Sequence, residues 1–516
     1  MNGAPLPSRV ATTWEACPQK ARAARESHPG RSLSTTLTEA TMRGKPVEQS
    51  RTRPVGSTGA APAAYRAMLA RRSQLDGGDG FDPTWMPDHL FPFQRDLVEW
   101  AVRQGRAAIF ADCGLGKTAQ QLAWAKNVQR YTGKPVLIVS PLAVSFQTQR
   151  EAVKFGYDDV AVSRDGTVPA AITVTNYERL ESFDPGAFGG VVCDESSAIK
   201  AFDGQRRAIV TEFMRTHRYR LLCTATAAPN DYIELGTSSE ALGYLGHVDM
   251  LSRFFTNRQQ TVAQNRLAGQ QAQWRFKGHA QGEFWRWVAS WARAVRRPSD
   301  LGHPDDGFVL PPLEYREHVV TAREPVEGTL FDVPAIGLRE ERAETRRTLD
   351  DRCETAAGLV EDADCAVVWC QLNDESALLT DLIPGAVEVS GADSPEAKEE
   401  KLIAFSLGQV RVLVSKPVIG AWGLNWQHCN RMTYFPNHSY EQMYQAVRRS
   451  WRFGQQRPVT VDLVTTEGGL NALESLRRKA AQADAMFDAL VSHMRDAAGI
   501  RRDVDHDQEV QVPSWV

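Results

Sequence analysis

The stretch that decides the fold is Ala111-Asp112-Cys113-Gly114-Leu115-Gly116-Lys117-Thr118, with the apolar run Ala107 to Phe110 ahead of it and the periodic segment Thr118 to Val128 behind it. A glycine-bearing turn between a strand and a helix lets backbone N–H groups curl around phosphate oxygens. Lys117 can then reach the β and γ oxygens, and the Thr118 hydroxyl can ligate Mg²⁺. Ala111 stands where the usual pattern has its first glycine, so strand–turn–helix context carries the reading. A strand feeding a helix through such a loop belongs to a parallel α/β layer.

Working outward, short apolar runs alternate with amphipathic stretches from about Phe81 to Thr226, the pattern of βαβ units. Strands are expected at Ala107 to Phe110, Val136 to Ser140, Ile172 to Thr175, Val191 to Cys193 and Arg220 to Thr224. A second series begins near Cys365, with strands at Cys365 to Trp369, Val387 to Val389, Val410 to Val414, Met432 to Phe435 and Val459 to Val464. The segment between them, 231–340, lacks strand alternation and is expected to be mostly helical. Its Trp274, Trp285, Trp287 and Trp291 stand among Arg and Lys residues, which suits base stacking. Phe284, Trp287 and Trp291 fall three and four apart, however, which favours packing on one helix face. Leu470 to about Ala498 reads as a packing helix.

Val191-Val192-Cys193-Asp194-Glu195 is an apolar strand ending in adjacent carboxylates, at the edge where a parallel sheet would present them beside the phosphate loop. Asp194 can hold Mg²⁺ through water, and Glu195 can orient and deprotonate an attacking water. Arg449 and Arg452, in Gln445-Ala446-Val447-Arg448-Arg449-Ser450-Trp451-Arg452-Phe453-Gly454-Gln455, lie three apart and are expected on one helix face. Alone they would be read as a solvated basic patch; beside a phosphate site they can stabilise transferring phosphoryl charge.

Taken in order, Phe93-Gln94, ADCGLGKT (111–118), SPLAV (140–144), TNYE (175–178), DESS (194–197), TATAAPN (224–230), SGADS (390–394), GLN (423–425) and QAVRRSWRFGQ (445–455) resemble the ordered motifs of superfamily two helicases. The R-x-G-Q ending is similar to the Swi/Snf-like double-stranded DNA translocases, and the set also looks like compact phage and prophage helicases. The resemblance implies two tandem RecA-like parallel-sheet domains around the mostly helical middle, and residues 1–62, rich in Ser, Thr, Pro, Gly and Arg with little to nucleate a core, read as a disordered N-terminal arm. The divisions expected are 1–62 for the arm, 63–230 and 341–465 for the RecA-like domains, 231–340 for the insert and 466–516 for the C-terminal helix and tail.

It further implies that Gln94 reads an adenine edge and that Gly114, Gly116, Lys117 and Thr118 take a triphosphate. Thr118 and Asp194 would hold Mg²⁺, and Gly423 would line the cleft. Thr224 and Thr226 would couple the nucleotide site to nucleic acid, Arg449 and Arg452 would be arginine fingers, and Arg296-Arg297 with Leu310-Pro311-Pro312 would join the lobes. The sequence departs from the family at Ser196-Ser197, at Arg448 where an acidic residue is usual, at Trp451 where His is frequent, and at Ser415-Lys416-Pro417.

The expectation is therefore an ATP- and Mg²⁺-dependent DNA helicase or double-stranded DNA translocase acting on duplex or forked DNA. The alternatives are the motor subunit of a restriction, modification or phage replication or recombination assembly that translocates without separating strands, an RNA-directed helicase, and a clamp that uses ATP only as a ligand.

Composition agrees with a large globular enzyme. The 516 residues are 42% hydrophobic and 24% charged, with a net charge of −3. Residues 1–80 carry twelve Lys/Arg against six Asp/Glu, so the body is acidic and any polyanion must be gripped by local clusters or by the arm. The eight cysteines contain no CxxC pair, and no run of 18 uncharged apolar residues occurs. Zinc sites, disulfide frameworks and membrane partners are not expected, and a reducing, cytoplasmic location is.

Overall fold

The computed structural model describes residues 79–201, 204–228, 231–257, 274–323, 337–420 and 425–500, all within one compact unit. The expected N-terminal arm and Gly423 lie outside the described residues.

Fifteen strands are described. The first lobe holds β1 (Arg106–Ala111), β2 (Val136–Ser140), β3 (Val160–Val162), β4 (Ile172–Asn176), β5 (Gly190–Asp194) and β6 (Tyr219–Cys223). The middle segment adds the hairpin strands β7 (Phe255–Asn257) and β8 (Trp274–Phe276), then β9 (Ala292–Val295) and β10 (Leu313–Val320). The second lobe holds β11 (Ala366–Trp369), β12 (Ala386–Val389), β13 (Val412–Ser415), β14 (Arg431–Tyr434) and β15 (Val459–Thr466). One sheet runs β3-β4-β2-β5-β6-β1-β9 and the other β10-β15-β14-β11-β13-β12. Every pairing in both is parallel. This is the tandem RecA-like α/β architecture expected from the sequence.

Both sheets are buried because helices cover their two faces, which is why their strands read as continuous apolar runs. In the first lobe the helix Pro92–Gln104 turns Phe93, Leu97, Val98 and Ala101 inward, at the spacing of one helix face. They pack with Ile109, Trp124 and Ile138 on one side of the sheet. The opposite side is covered by Phe284, Trp285 and Trp291 of the helix Ala280–Trp291, each 1% exposed or less. Of this segment's tryptophans, Trp285 and Trp291 are core, and Trp274 and Trp287 are half-buried against it.

Segment 231–340 is helical at Leu235–Leu242, His247–Phe254 and Ala280–Trp291, yet it also supplies an edge strand to each sheet. β9 extends the first sheet, with Ala108 opposite Ala292, and β10 extends the second, with Leu313 opposite Val459. Neither shows the apolar run of a central strand. β9 is only four residues long and follows a helix directly, while β10 sits on a half-exposed edge and carries Glu314, Arg316 and Glu317.

The last helix, Leu470–Ile500, serves both lobes. Leu473 and Leu476 join the second lobe's core, and Met486, Phe487, Leu490 and Met494 join the first lobe's. Arg296 fastens it, donating to the Ala483 and Asp484 carbonyls and lying 4.6 Å over the Phe487 ring. Among the described residues no helix is long and apolar enough to cross a membrane.

Candidate active site

The phosphate loop leaves β1 at Ala111 and enters the helix Lys117–Thr132 at Gly116. Gly114 and Gly116 adopt φ of 89° and 75°, where L side chains are strained and glycine is not. Space enforces the same choice. A Cβ at Gly116 would meet the Gln94 amide nitrogen at 2.4 Å, and one at Gly114 would meet the Phe453 backbone nitrogen at 2.7 Å. The second contact spans the lobes. The Lys117 ammonium donates to the Ala111 carbonyl at 3.1 Å, so the lysine arches back over the loop. Burial opposes its charge, but Cys113 and the carboxylates Glu195 and Asp194 outweigh that and raise its pKa.

Gln94 is committed to the loop itself. Its Oε1 accepts from the Phe91 N–H at 3.0 Å and its Nε2 donates to the Leu115 carbonyl at 2.9 Å. The side chain therefore staples the first helix to the loop, and one Nε2 hydrogen and one Oε1 lone pair are left for a base edge.

At the end of β5, Asp194 is buried and accepts from Gln121 Nε2 at 2.6 Å. Burial first, and the neighbouring Glu195 second, push its carboxyl up to about 7. The Tyr177 hydroxyl, from the TNYE motif, donates to the Asp194 carbonyl at 2.7 Å and fixes the strand end. Glu195 has φ 45°, the one positive φ on a non-glycine residue among those described. Strain of that kind, of order 1–3 kcal/mol, persists where surrounding structure over-determines the backbone, as at active sites. Here the flanking Ser196 N–H bonds the Cys223 carbonyl at 2.9 Å, tying the turn to β6.

The second lobe completes the cleft. The helix Tyr440–Val447 ends before the arginines, so Arg449 and Arg452 project from the turn after it and not from one helix face. The Arg449 N–H bonds the Ala446 carbonyl and the Ser450 N–H the Val447 carbonyl, the tightened pattern that satisfies a helix's last carbonyls. Trp451 then donates its indole N–H to the Pro311 carbonyl at 2.7 Å, holding the turn against the Leu310-Pro311-Pro312 segment. Arg449 and Arg452 line one cleft of about 370 Å³ together with Gln94, Gly114, Gly116, Lys117, Thr118, Asp194 and Glu195. Burial lowers the Arg449 pKa to about 10 and lowers that of Arg452 too. Both guanidiniums thus carry a desolvation cost that an anion in the cleft would relieve.

Two further residues here, Arg448 and Tyr444, were given no role by the sequence reading. Arg448 forms a buried ion pair with Asp112, and Tyr444 donates its hydroxyl to the same carboxylate. Asp112 also accepts the Cys113 N–H at 2.6 Å.

Thr224 and Thr226, just after β6, form a hydroxyl chain. Thr224 donates towards Glu195 Oε2 at 3.4 Å or the Ser197 hydroxyl at 3.3 Å, and its own oxygen accepts the Thr226 N–H at 3.1 Å. Thr226 lies 3.4 Å from the Ser197 hydroxyl and 3.2 Å from Glu441 Oε1 on the second lobe. The Ser197 hydroxyl lies within reach of both threonine hydroxyls, as an alternative partner to the two glutamates.

Among the described residues no group of three or more His, Cys, Asp and Glu could hold a metal ion by itself. Thr118 and Asp194 nevertheless fit a magnesium ion that shares its ligands with phosphate. They offer one hydroxyl and one buried carboxylate in the same cleft, hard oxygen donors of the kind the ion takes.

No family model matches the chain, and no curated protein matches it. Among solved structures, it is similar to the Sulfolobus solfataricus SWI2/SNF2 ATPase core in complex with dsDNA, at 16% identity and TM-score 0.37 over 83% of this chain and 99% of that one. The same core domain without DNA gives 17% identity and TM-score 0.37 over 78% and 91%. S. cerevisiae Dbp5 bound to RNA and ADP BeF3 gives 12% identity and TM-score 0.47 over 78% and 98%.

Proposed function

We propose that this chain is a nucleic-acid-dependent ATPase of the superfamily two kind, working as a double-stranded DNA translocase or helicase. The observation that carries the reading is the convergence of Arg449 and Arg452 from one lobe with Lys117, Thr118, Asp194 and Glu195 from the other on a single cleft. A phosphate loop alone would define a nucleotide site; guanidiniums supplied from across a hinge make its occupancy depend on how the lobes sit.

In this reading the loop N–H groups and Lys117 bind the β and γ phosphates of ATP. Glu195 orients a water in line with the γ-phosphorus and accepts its proton as the P–O bond to the β-phosphate breaks. Arg449 and Arg452 neutralise charge on the transferring oxygens. Thr118 and Asp194 would hold magnesium, which when bound offsets phosphate charge. Thr224 donates to Glu195 and accepts the Thr226 N–H, and the Thr226 hydroxyl donates to Glu441, which ties the hydrolytic carboxylate to the second lobe, so loss of the γ-phosphate and lobe separation are linked. Residues 63–230 and 341–465 are the two motor domains of this reading, with 466–516 following them.

Steady-state ATPase rates with duplex DNA, single-stranded DNA and RNA test it. Stimulation by duplex DNA together with displacement of a triplex-forming strand is the expected outcome for a translocase. Displacement of a duplex strand would extend the reading to a helicase, and stimulation by RNA alone would redirect it. A rate indifferent to all three polymers would remove it.

A further inference from the structure

The helix Leu142–Lys154 follows β2, and β2 lies beside β5 with Val139 opposite Cys193, so the helix starts next to Asp194 and Glu195. Along it Val144, Gln147, Glu151 and Lys154 fall three, four and three residues apart, which places them on one face. All four line the cleft that the phosphate loop lines. At a rise of roughly 1.5 Å per residue this face runs about 15 Å. It ends at Phe155, whose ring stacks on His89 with 4.7 Å between centroids and 6° between planes.

His89 stands just before Phe91 and Gln94, so the far end of the face is the end at which Gln94 offers its amide to a base. Aromatic rings gather there from both lobes. Phe308 lies 5.0 Å from Phe91 and 4.8 Å from Phe453 of the second lobe, and Phe91 and Phe453 keep exposed ring surface. Such rings give a planar base an apolar bed. A nucleotide laid from the loop to these rings brings its sugar to the stretch between, where the helix presents Gln147 and Glu151.

Among the described residues, Glu151 is the one acidic side chain lining the cleft besides Asp194 and Glu195. A carboxylate beside a polyphosphate is repelled by it, unless it meets hydrogen-bond donors of the same ligand. The sugar hydroxyls are such donors, and an O–H bond to a carboxylate is charge-assisted. Gln147 Nε2 donates to Glu151 Oε1 at 2.8 Å, which orients the carboxylate and leaves acceptor positions on both oxygens. Gln147 Oε1 is itself buried with no partner among the described residues, so it too gains from a donor in the cleft.

We propose, building on the ATPase reading, that Glu151, held by Gln147, accepts the vicinal 2′ and 3′ hydroxyls of the ribose and selects ribonucleotides over 2′-deoxyribonucleotides. Glu151 is the sugar-reading residue of the cleft, as Gln94 is its base-reading one. Arg452 lines the same cleft and feels the Glu151 charge, so an effect passed through that arginine is the rival to be separated.

Isothermal titration of the full chain with ADP and 2′-deoxyADP in magnesium gives the test, and neither nucleotide requires turnover. The parent chain should bind ADP on the order of tenfold more tightly than 2′-deoxyADP. Glu151→Ala should weaken ADP by that factor and bring the ratio close to one, while Glu151→Gln, whose amide oxygen still accepts, should leave an intermediate ratio. Equal affinities in the parent chain, with ADP bound, would overturn the sugar contact and leave the ATPase reading standing. An equal change for both nucleotides in Glu151→Ala would assign the carboxylate to Arg452 and overturn the contact as well. ADP that fails to bind the parent chain would overturn both readings.

Discussion

Asp112 in the phosphate loop and Arg448 in the second lobe form an ion pair whose side chains are 7% and 8% exposed. Burial opposes the Arg448 charge, but Asp112 and Tyr444 overcome it and raise the guanidinium pKa. Arg448 is also sandwiched over Tyr444 and Trp451, at 5.3 and 4.3 Å from the ring centroids. The loop that is to hold phosphate is thereby tied through a side chain to the segment that supplies the arginines. Removing one member of such a pair leaves the other buried and uncompensated, a cost of roughly 3–5 kcal/mol.

Arg448→Ala should therefore lower the denaturation midpoint more than the double variant Asp112→Asn with Arg448→Ala, in which both charges are gone. Denaturant unfolding of the two single variants and the double measures the coupling. Additive effects would mean that the pair contributes nothing across the lobes.

Arg449 and Arg452 take no part in that ion pair, and their charge faces the cleft. Alanine at either should slow ATP turnover by on the order of 10³-fold. Lys117→Ala and Glu195→Gln should abolish turnover with the circular dichroism spectrum unchanged. Glu195→Gln should still bind a fluorescent ATP analogue, because the carboxylate is placed to act on water and not on phosphate. Unchanged rates in the Lys117 or Glu195 variant would refute the site.

The Thr226 hydroxyl is the contact of the Glu195 hydroxyl chain with the second lobe, through Glu441. Thr226→Val keeps the shape and removes that hydroxyl. The ratio of DNA-stimulated to basal ATPase rate should fall on the order of tenfold, within a coupling free energy of about 1–3 kcal/mol. An unchanged ratio would leave Thr226 a packing residue only.

What the sequence made legible follows from which interactions are local. The central strands were readable to within two residues because a parallel strand buried on both faces has no option but an apolar run, as in Val136–Ser140. The loop and the Asp194-Glu195 pair were readable because strand-end chemistry sits within a few residues of its strand. β10 was not: its partner β15 lies more than a hundred residues away and its edge position leaves charged residues in place. The Asp112–Arg448 pair was illegible for a related reason. Arg448 departs from the residue type usual in the family that the motifs resemble, and its partner becomes visible only once the lobes are brought together. Gln94 shows the remaining gap, since its place in the motif gave no sign that one end of its amide caps its own helix at Phe91 and the other holds the loop at Leu115.

Asp194 gives a dependence on pH that can be measured without turnover. Its carboxyl is raised from an ordinary carboxylate value to about 7 in the folded chain, by burial and then by Glu195. The folded state therefore holds a proton that the unfolded state has released, so ionisation at this site destabilises the fold as pH climbs from about 4 to about 7. Asp194→Asn, which imitates the protonated acid, should gain melting temperature over the parent chain across that window and keep the gain above it. Each kcal/mol corresponds to roughly 2–4 °C in a lobe of this size. Thermal melts of nucleotide-free protein in chelator at pH 5 and pH 8 give the comparison. With magnesium and a nonhydrolysable ATP analogue present the order should reverse, since the carboxylate then gains a cation that the amide cannot replace. A difference between the two chains that is the same at both pH values would mean that Asp194 is already ionised at the lower one.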